Sequence, residues 1–194
     1  MTSERLPVRY REVFTGTPLI SVTQVLTLNG RIDGRWFTEE SRWRGTMVHH
    51  LTEQLDRCEE MDEIPAALEG YMDAYWRFKE VCRPVYSHVE LEVQDSALAL
   101  GGRLDRIVVS LFGEPLSGIL DIKTGPPEPW HGQQLAAYNR MLPTGTRWGL
   151  YLKKNGKYRL KQYTDPEDDR RFMFDLAATH GRIEASGDFW IAAA

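Results

Sequence analysis

The sequence predicts an α/β fold with a mixed central sheet flanked by helices. Three observations carry that reading. Apolar runs at 104–111 and 116–122 flank a Gly113-Glu114-Pro115 turn and read as adjacent strands. Apolar stripes at helical spacing come before them, at 38–60 and 64–81, and another begins after them at His131. A second hairpin signal, Asn155-Gly156, joins runs at 147–153 and 157–163. The resulting order is helix, helix, strands, helix, hairpin, helix, which interleaves the two element types around one sheet.

Taken in order, the chain opens with Arg5, Arg9 and Arg11, the composition of a solvated tail. Ser21 caps a short helix over 21–26. Arg31, Arg35, Trp36 and Phe37 interleave charge with rings. Such a stretch grips single-stranded nucleic acid or simply forms a loop with buried aromatics, and the sequence leaves both open. In the helix at 38–60 the stripe is Trp43, Met47, Val48, Leu51, Leu55 and Cys58. His49 falls opposite it, on a face with Gly45 and Asp56, where an exposed histidine is the ordinary reading. His50 lies on the flank and is structural. The helix at 64–81 has Asp62 as cap, Pro65 in its first turn, and a core stripe of Ile64, Leu68, Tyr71, Tyr75 and Phe78. Along the strand at 85–93, Val89, Leu91 and Val93 share one face, and His88, Glu90 and Glu92 share the other.

The chemistry concentrates at 101–138. Asp105 lies in the first central strand, and Asp121 and Lys123 lie in the second. Side chains two apart leave a strand on one face, so Asp121 and Lys123 point together, and hairpin pairing brings Asp105 to the same end of the sheet. Two buried carboxylates need a compensating charge, which a divalent metal supplies. Oxygen ligands suit Mg2+ or Mn2+. Beyond the prolines at 126, 127 and 129, Gln134 and Tyr138 share a helix face. Lys153, Lys154, Lys157, Arg159 and Lys161 make 151–163 basic with no acid. This hairpin tracks a phosphate backbone or guards a sheet edge against aggregation. A last helix starts at the Asp165 cap, closes the domain through Phe172, Leu176 and Ala177, and runs to about 183.

Asp105, then Asp121-Ile122-Lys123, then Gln134 and Tyr138, resembles the PD-(D/E)XK nuclease superfamily. Within it the pattern is similar to the RecB-type exonuclease branch, which includes CRISPR adaptation nucleases and many phage exonucleases. Gly45-Thr46-Met47-Val48-His49 resembles that branch's upstream Gly-x-x-x-His helix motif, and Glu90 sits where relatives carry an acid before the Asp strand. The resemblance covers about 21–140. It implies a restriction-endonuclease-like fold and a divalent metal held by Asp105, Asp121, the Ile122 carbonyl and His49, with Glu90 ligating or supporting. It implies catalysis by Asp105, Asp121, Lys123 and Glu90, and substrate positioning by Gln134 and Tyr138. Lys153, Lys157, Arg159 and Lys161 are the candidates for a DNA path.

With 194 residues and 42% hydrophobic content, one domain is expected over 1–194. Its parts are helical (21–82), catalytic sheet and helix (85–142), and basic hairpin with closing helix (147–185). No apolar run spans a membrane, and the N-terminus lacks a signal-peptide core, which points to the cytoplasm of a bacterial or phage-infected cell. Cys58 and Cys82 read as free thiols and are too few for a four-cysteine iron–sulfur cluster, a departure from those relatives that carry one. A net charge of −4 counts against broad duplex coating but allows a local basic groove. The implied function is a metal-dependent DNA exonuclease in recombination, repair or phage DNA processing. A non-catalytic DNA- or partner-binding module on the same fold, or an endonuclease, are the competing readings. A homo-oligomer or a recombination-protein partner is left open.

Overall fold

The computed structural model describes residues 8–186; Arg5 and the final 191–194 lie outside the described residues. The elements in chain order are β1 (Tyr10–Arg11), β2 (Pro18–Ser21), α1 (Val22–Leu28), α2 (Glu39–Asp56), α3 (Glu69–Cys82), β3 (Val85–Asp95), β4 (Leu100–Leu111), β5 (Glu114–Lys123), α4 (Trp130–Met141), β6 (Thr146–Leu152), β7 (Tyr158–Gln162) and α5 (Glu167–Ser186). β4 is the hub. β3 runs antiparallel along one edge, while β2 (parallel) and β5 (antiparallel) share the other. β5 then pairs parallel with β6, and β6 antiparallel with β7. The sheet is mixed and flanked by helices, as expected.

Each face buries its own apolar set. On one, Val25, Leu104, Ile107, Leu135, Phe172 and Leu176 join α1, α4 and α5 to the sheet. On the other, Val48, Leu51, Tyr75, Phe78, Leu120 and Leu150 do so for α2 and α3. Fully burying each such side chain contributes about 1.5–3 kcal/mol. Ser21 caps α1 in a reciprocal box: its hydroxyl accepts from Gln24 N–H at 3.1 Å, and the Gln24 side chain accepts from Ser21 N–H at 2.9 Å. Thr38 caps α2 through Ser41 N–H at 3.1 Å, with Glu39 and Glu40 in the positive first turn.

Several expectations need correction. α2 ends at Asp56, short of 60, because the chain turns left-handed at Cys58, where φ is +56°. Trp43 and Cys58 are exposed, so the buried stripe is narrower than the sequence pattern. α3 starts at Glu69 rather than 64. Asp62 is bound by His50 at 2.7 Å and caps nothing, and Pro65 lies in the approach, its carbonyl accepting from Leu68 N–H. The central hairpin turns on Phe112-Gly113, both left-handed at φ +57° and +83°, and Pro115 sits inside β5 beside a register shift. Ala177 is exposed, while Phe172, Leu176 and Ile183 are buried. Arg31 is held by buried Asp175 through two hydrogen bonds (2.8 and 3.0 Å), and Arg35 by Asp33. Arg31 thus ties its loop to α5 and Arg35 fastens the chain locally, and neither is a free cation.

The second hairpin forms where Asn155-Gly156 places it, with Gly156 at φ +74°. Its connection is pressed against α3: a methyl group on Gly70 would collide with the Lys154 carbonyl. Glycine to alanine in a helix normally stabilises by about 1 kcal/mol. Gly70→Ala is expected to reverse that sign and cost on the order of 1–3 kcal/mol, the scale of overpacking. Urea denaturation checks it. Neutral or improved stability would show that the hairpin is not pinned there.

Candidate active site

The site sits where β3, β4 and β5 meet. The last registered β4–β5 pair at this end is Arg106 with Leu120, so Asp105 and Asp121 face each other one step further on. Both are buried. Asp105 Oδ2 accepts from Ile122 N–H at 2.6 Å, which fixes the carboxylate against the neighbouring strand. Asp121 and Lys123 leave β5 on one face as their spacing dictates, and Lys123 Nζ lies 2.6 Å from Asp121 Oδ2.

α4 covers this end. Gln134 accepts from Lys123 Nζ at 2.9 Å and donates to Tyr138 OH at 3.5 Å. Tyr138 can come this close because β4 carries Gly102; a Cβ there would stand 2.5 Å from the tyrosine ring. The Trp130 ring lies 5.3 Å from Lys123 Nζ, within cation–π range. Its neighbour His131 is buried and accepts from Glu128 N–H at 3.1 Å and Tyr151 OH at 2.9 Å. Burial, then Lys123 and Lys161, push His131 down to about 2. It therefore acts as a fixed acceptor, not a charge.

The other wall comes from α2 and β3. His49 Nδ1 lies 3.5 Å from Asp105 and 3.6 Å from Glu90. The helix-wheel position opposite the stripe thus faces the sheet end rather than open solvent. Glu90 stands at φ +53°, at a gap in the β3–β4 ladder between Val89↔Arg106 and Leu91↔Leu104. That kink breaks the expected alternation and turns Glu90 toward His49, whereas Glu92 is exposed.

The charges explain the titration. Burial, reinforced by Asp121 and Glu90, pushes Asp105 up to about 6 despite His49 and Lys123. Burial lowers His49, but its side chain keeps 31% of its surface open, and Asp105 and Glu90 outweigh that loss, leaving it raised. For Glu90 burial is likewise outweighed, by His49, Arg106 and Arg103, and its pKa is lowered.

The donors fit a divalent cation. Ligand atoms of His49, Glu90 and Asp105 lie within 4.8 Å of one another. Asp121 Oδ2, though in contact with Lys123, is a buried oxygen with no aligned hydrogen bond. Carboxylates plus one imidazole suit a hard or borderline metal. Ile122 is buried directly between Asp121 and Lys123.

The basic residues divide. Lys153, Lys154 and Arg159 line a groove of about 370 Å³ with Tyr71, Tyr151 and residues 124–127, directly after Lys123. Arg44, which the sequence reading missed, borders it, donating to Thr124 at 3.3 Å with its guanidinium 5.7 Å from the Tyr71 ring. Lys157 is exposed outside the groove lining, and Lys161 lies over the Tyr163 ring at 4.2 Å. Arg103 and Arg106, which both bind Glu90, also went unread, because an arginine in an apolar strand carries no local signal of its partner.

No family model matches the sequence, and no curated protein matches it. Solved structures do. An alkaline exonuclease from Laribacter hongkongensis aligns over 88% of this chain and 90% of its own, with a TM-score of 0.52 at 14% identity. The same protein in complex with dAMP aligns over the same shares, with a TM-score of 0.52 at 15% identity. The chain has the fold of an alkaline exonuclease. That likeness supports the nuclease-type architecture which the strand and helix motifs led us to expect. Among the described residues, no helix is long and apolar enough to cross a membrane.

The raised Asp105 carboxyl has a measurable consequence. Its ordinary value is 3.8 and its value in the fold about 6. Charging it therefore costs stability that is absent below about pH 4 and complete above about pH 6. In chelator, Asp105→Asn is expected to be more stable than the parent at pH 7.5, on the order of 1–3 kcal/mol at about 1.4 kcal/mol per unit. The gap should close toward pH 4. Thermal melts across that range test this, and a pH-independent gap would contradict the assignment.

Proposed function

We propose that the chain is a metal-dependent deoxyribonuclease, one domain over 1–194, that hydrolyses phosphodiester bonds from DNA ends. The observation that carries this reading is the convergence of Asp105, Asp121 and Lys123 at one sheet end, with Lys123 held 2.6 Å from Asp121 and 2.9 Å from Gln134. The alkaline-exonuclease fold supports it. Gly45 and His49 on α2, with Gln134 and Tyr138 on α4, are our grounds for the RecB-type branch.

In this reading Asp105, Asp121, the Ile122 carbonyl and His49 hold Mg2+ or Mn2+, with Glu90 ligating or supporting. Such an ion, when bound, polarises a phosphoryl oxygen and makes water more acidic. Lys123 faces a carboxylate, an amide oxygen and a ring, all of which attract an ammonium. That placement suits it to orient or deprotonate the attacking water and to offset charge growing on the phosphoryl oxygens. Gln134 fixes the ammonium, and Tyr138 fixes Gln134. Water adds across the P–O3′ bond, the 3′ oxygen leaves with a proton, and the product carries a 5′-phosphate. The substrate strand runs along the groove of Arg44, Lys153, Lys154 and Arg159, with Lys157 and Lys161 outside its lining.

End-labelled linear DNA and covalently closed circles, each with Mg2+, Mn2+ or EDTA, test the function. Progressive loss of linear DNA, surviving circles and no reaction in EDTA are expected. Cutting of closed circles would reject the exonuclease reading and leave the nuclease. Asp121→Ala should abolish cleavage, and full activity in Mg2+ would remove the site. Lys123→Ala should lose about 10²-fold or more in single-turnover rate with metal binding intact, without rescue by Lys123→Arg.

The groove has its own test. Neutralising Lys153, Lys154 and Arg159 should flatten the salt dependence of single-strand binding by about 0.7 in log–log slope for each phosphate no longer neutralised. Fluorescence anisotropy measures it, and an unchanged slope would move the strand elsewhere.

A further inference from the structure

Arg106 is the largest fully buried side chain among the described residues. A buried guanidinium persists only where its donors and charge are met. Nε meets Asp56 at 2.6 Å, and Nη2 meets Thr52 Oγ1 at 3.1 Å. Nη1 is divided between the Asp105 carbonyl at 2.7 Å and Glu90 Oε1 at 3.1 Å. Asp56 is held in turn by Lys79 at 2.5 Å and by the Tyr75 hydroxyl. Arg103 grips the second Glu90 oxygen at 2.8 Å.

An ion pair that only stabilised the fold would not need a strained partner. Glu90 is an L-residue at φ +53°, a conformation that costs about 1–2 kcal/mol. Its carboxylate is fixed at both oxygens by two arginines and directed at His49, 3.6 Å away. The planar fork of Arg106 thereby ties α2, through Thr52 and Asp56, to Glu90 on β3 and the backbone of Asp105 on β4.

We propose that Arg106 is a positioning residue that presets Glu90 and the Asp105 backbone for a divalent cation, using α2 as its anchor. The inference rests on the metal-binding reading above, and its test needs no nucleic acid. Mn2+ binding to the full chain is measured by calorimetry, after circular dichroism confirms folding. Arg106→Lys keeps the charge beside Asp56 but loses the fork, and should weaken Mn2+ binding by about 10-fold or more, the scale for partners of metal ligands. Thr52→Val removes one anchor without altering charge, together with the hydroxyl's bond to the His49 carbonyl at 3.0 Å, and should weaken it in the same direction, by less. In a Glu90→Gln background each substitution should weaken it by less than in the parent, because the share of the effect carried by that carboxylate is already lost.

Lowered melting temperature with parental Mn2+ affinity would make the network purely structural and overturn the proposal. So would additive losses in the Glu90→Gln background. If Arg106→Lys does not fold, Thr52→Val decides: parental affinity there rejects the proposal. A parental chain that binds no Mn2+ overturns it too. If Mn2+ binding behaves as expected but DNA is not cleaved, the positioning role stands and the nuclease reading fails.

Discussion

Carboxylates carried into the junction of three strands must be met by positive charge at contact distance. Asp105, Asp121 and Glu90 are placed there by β4, β5 and β3. Lys123 meets Asp121, Arg103 and Arg106 meet Glu90, and His49 stands between Glu90 and Asp105. The match is unequal. Glu90 has two arginines and a lowered pKa, while Asp105 pairs with no arginine or lysine among the described residues and has a raised one. The deficit is therefore local to Asp105 and the unaligned oxygen of Asp121, the place where an added cation relieves most repulsion.

This constraint organises the surrounding packing. α2 must lie close enough for His49 to reach the acids and for Thr52 and Asp56 to receive Arg106. α4 must lie close enough for Gln134 to take Lys123, which the bare backbone at Gly102 allows by admitting the Tyr138 ring. The two hydrophobic clusters hold these helices on opposite faces of the sheet, so the polar site bridges layers that apolar burial fixes in place.

What the sequence made legible was local. Asp121 and Lys123 share a face because strands alternate, Gln134 and Tyr138 because helices turn, and Asn155-Gly156 marks its turn by backbone preference alone. What stayed hidden depended on partners distant in the chain. Asp62 looked like a helix cap until His50 took its carboxylate. Arg31 left a nucleic-acid contact and a plain loop both open, and its partner Asp175 lies 144 residues later. Arg106 follows Asp105 in an apolar run, and nothing nearby announces Asp56 or Glu90 as its partners. Glu90 was found by its position in a motif, but the alternation assigned to its strand fails there because of its left-handed backbone.

The proposed binding of a polyanion by an acidic protein requires that its charges be separated in space. Exposed charges more than about 8–10 Å apart are largely screened at physiological salt, so a net charge of −4 says little about any one groove. The acids of the site are buried and partnered, and their fields are partly cancelled within a few ångströms. No carboxylate lines the groove beyond Lys123, and Arg44, Lys153, Lys154 and Arg159 form no ion pair among the described residues. Unpaired cations give up little when they meet a phosphate, whereas a cation already in a salt bridge must first lose its partner. In the proposed reading, that difference favours a strand along this groove over one at Arg31 or Arg35, which carry the same charge but are already engaged.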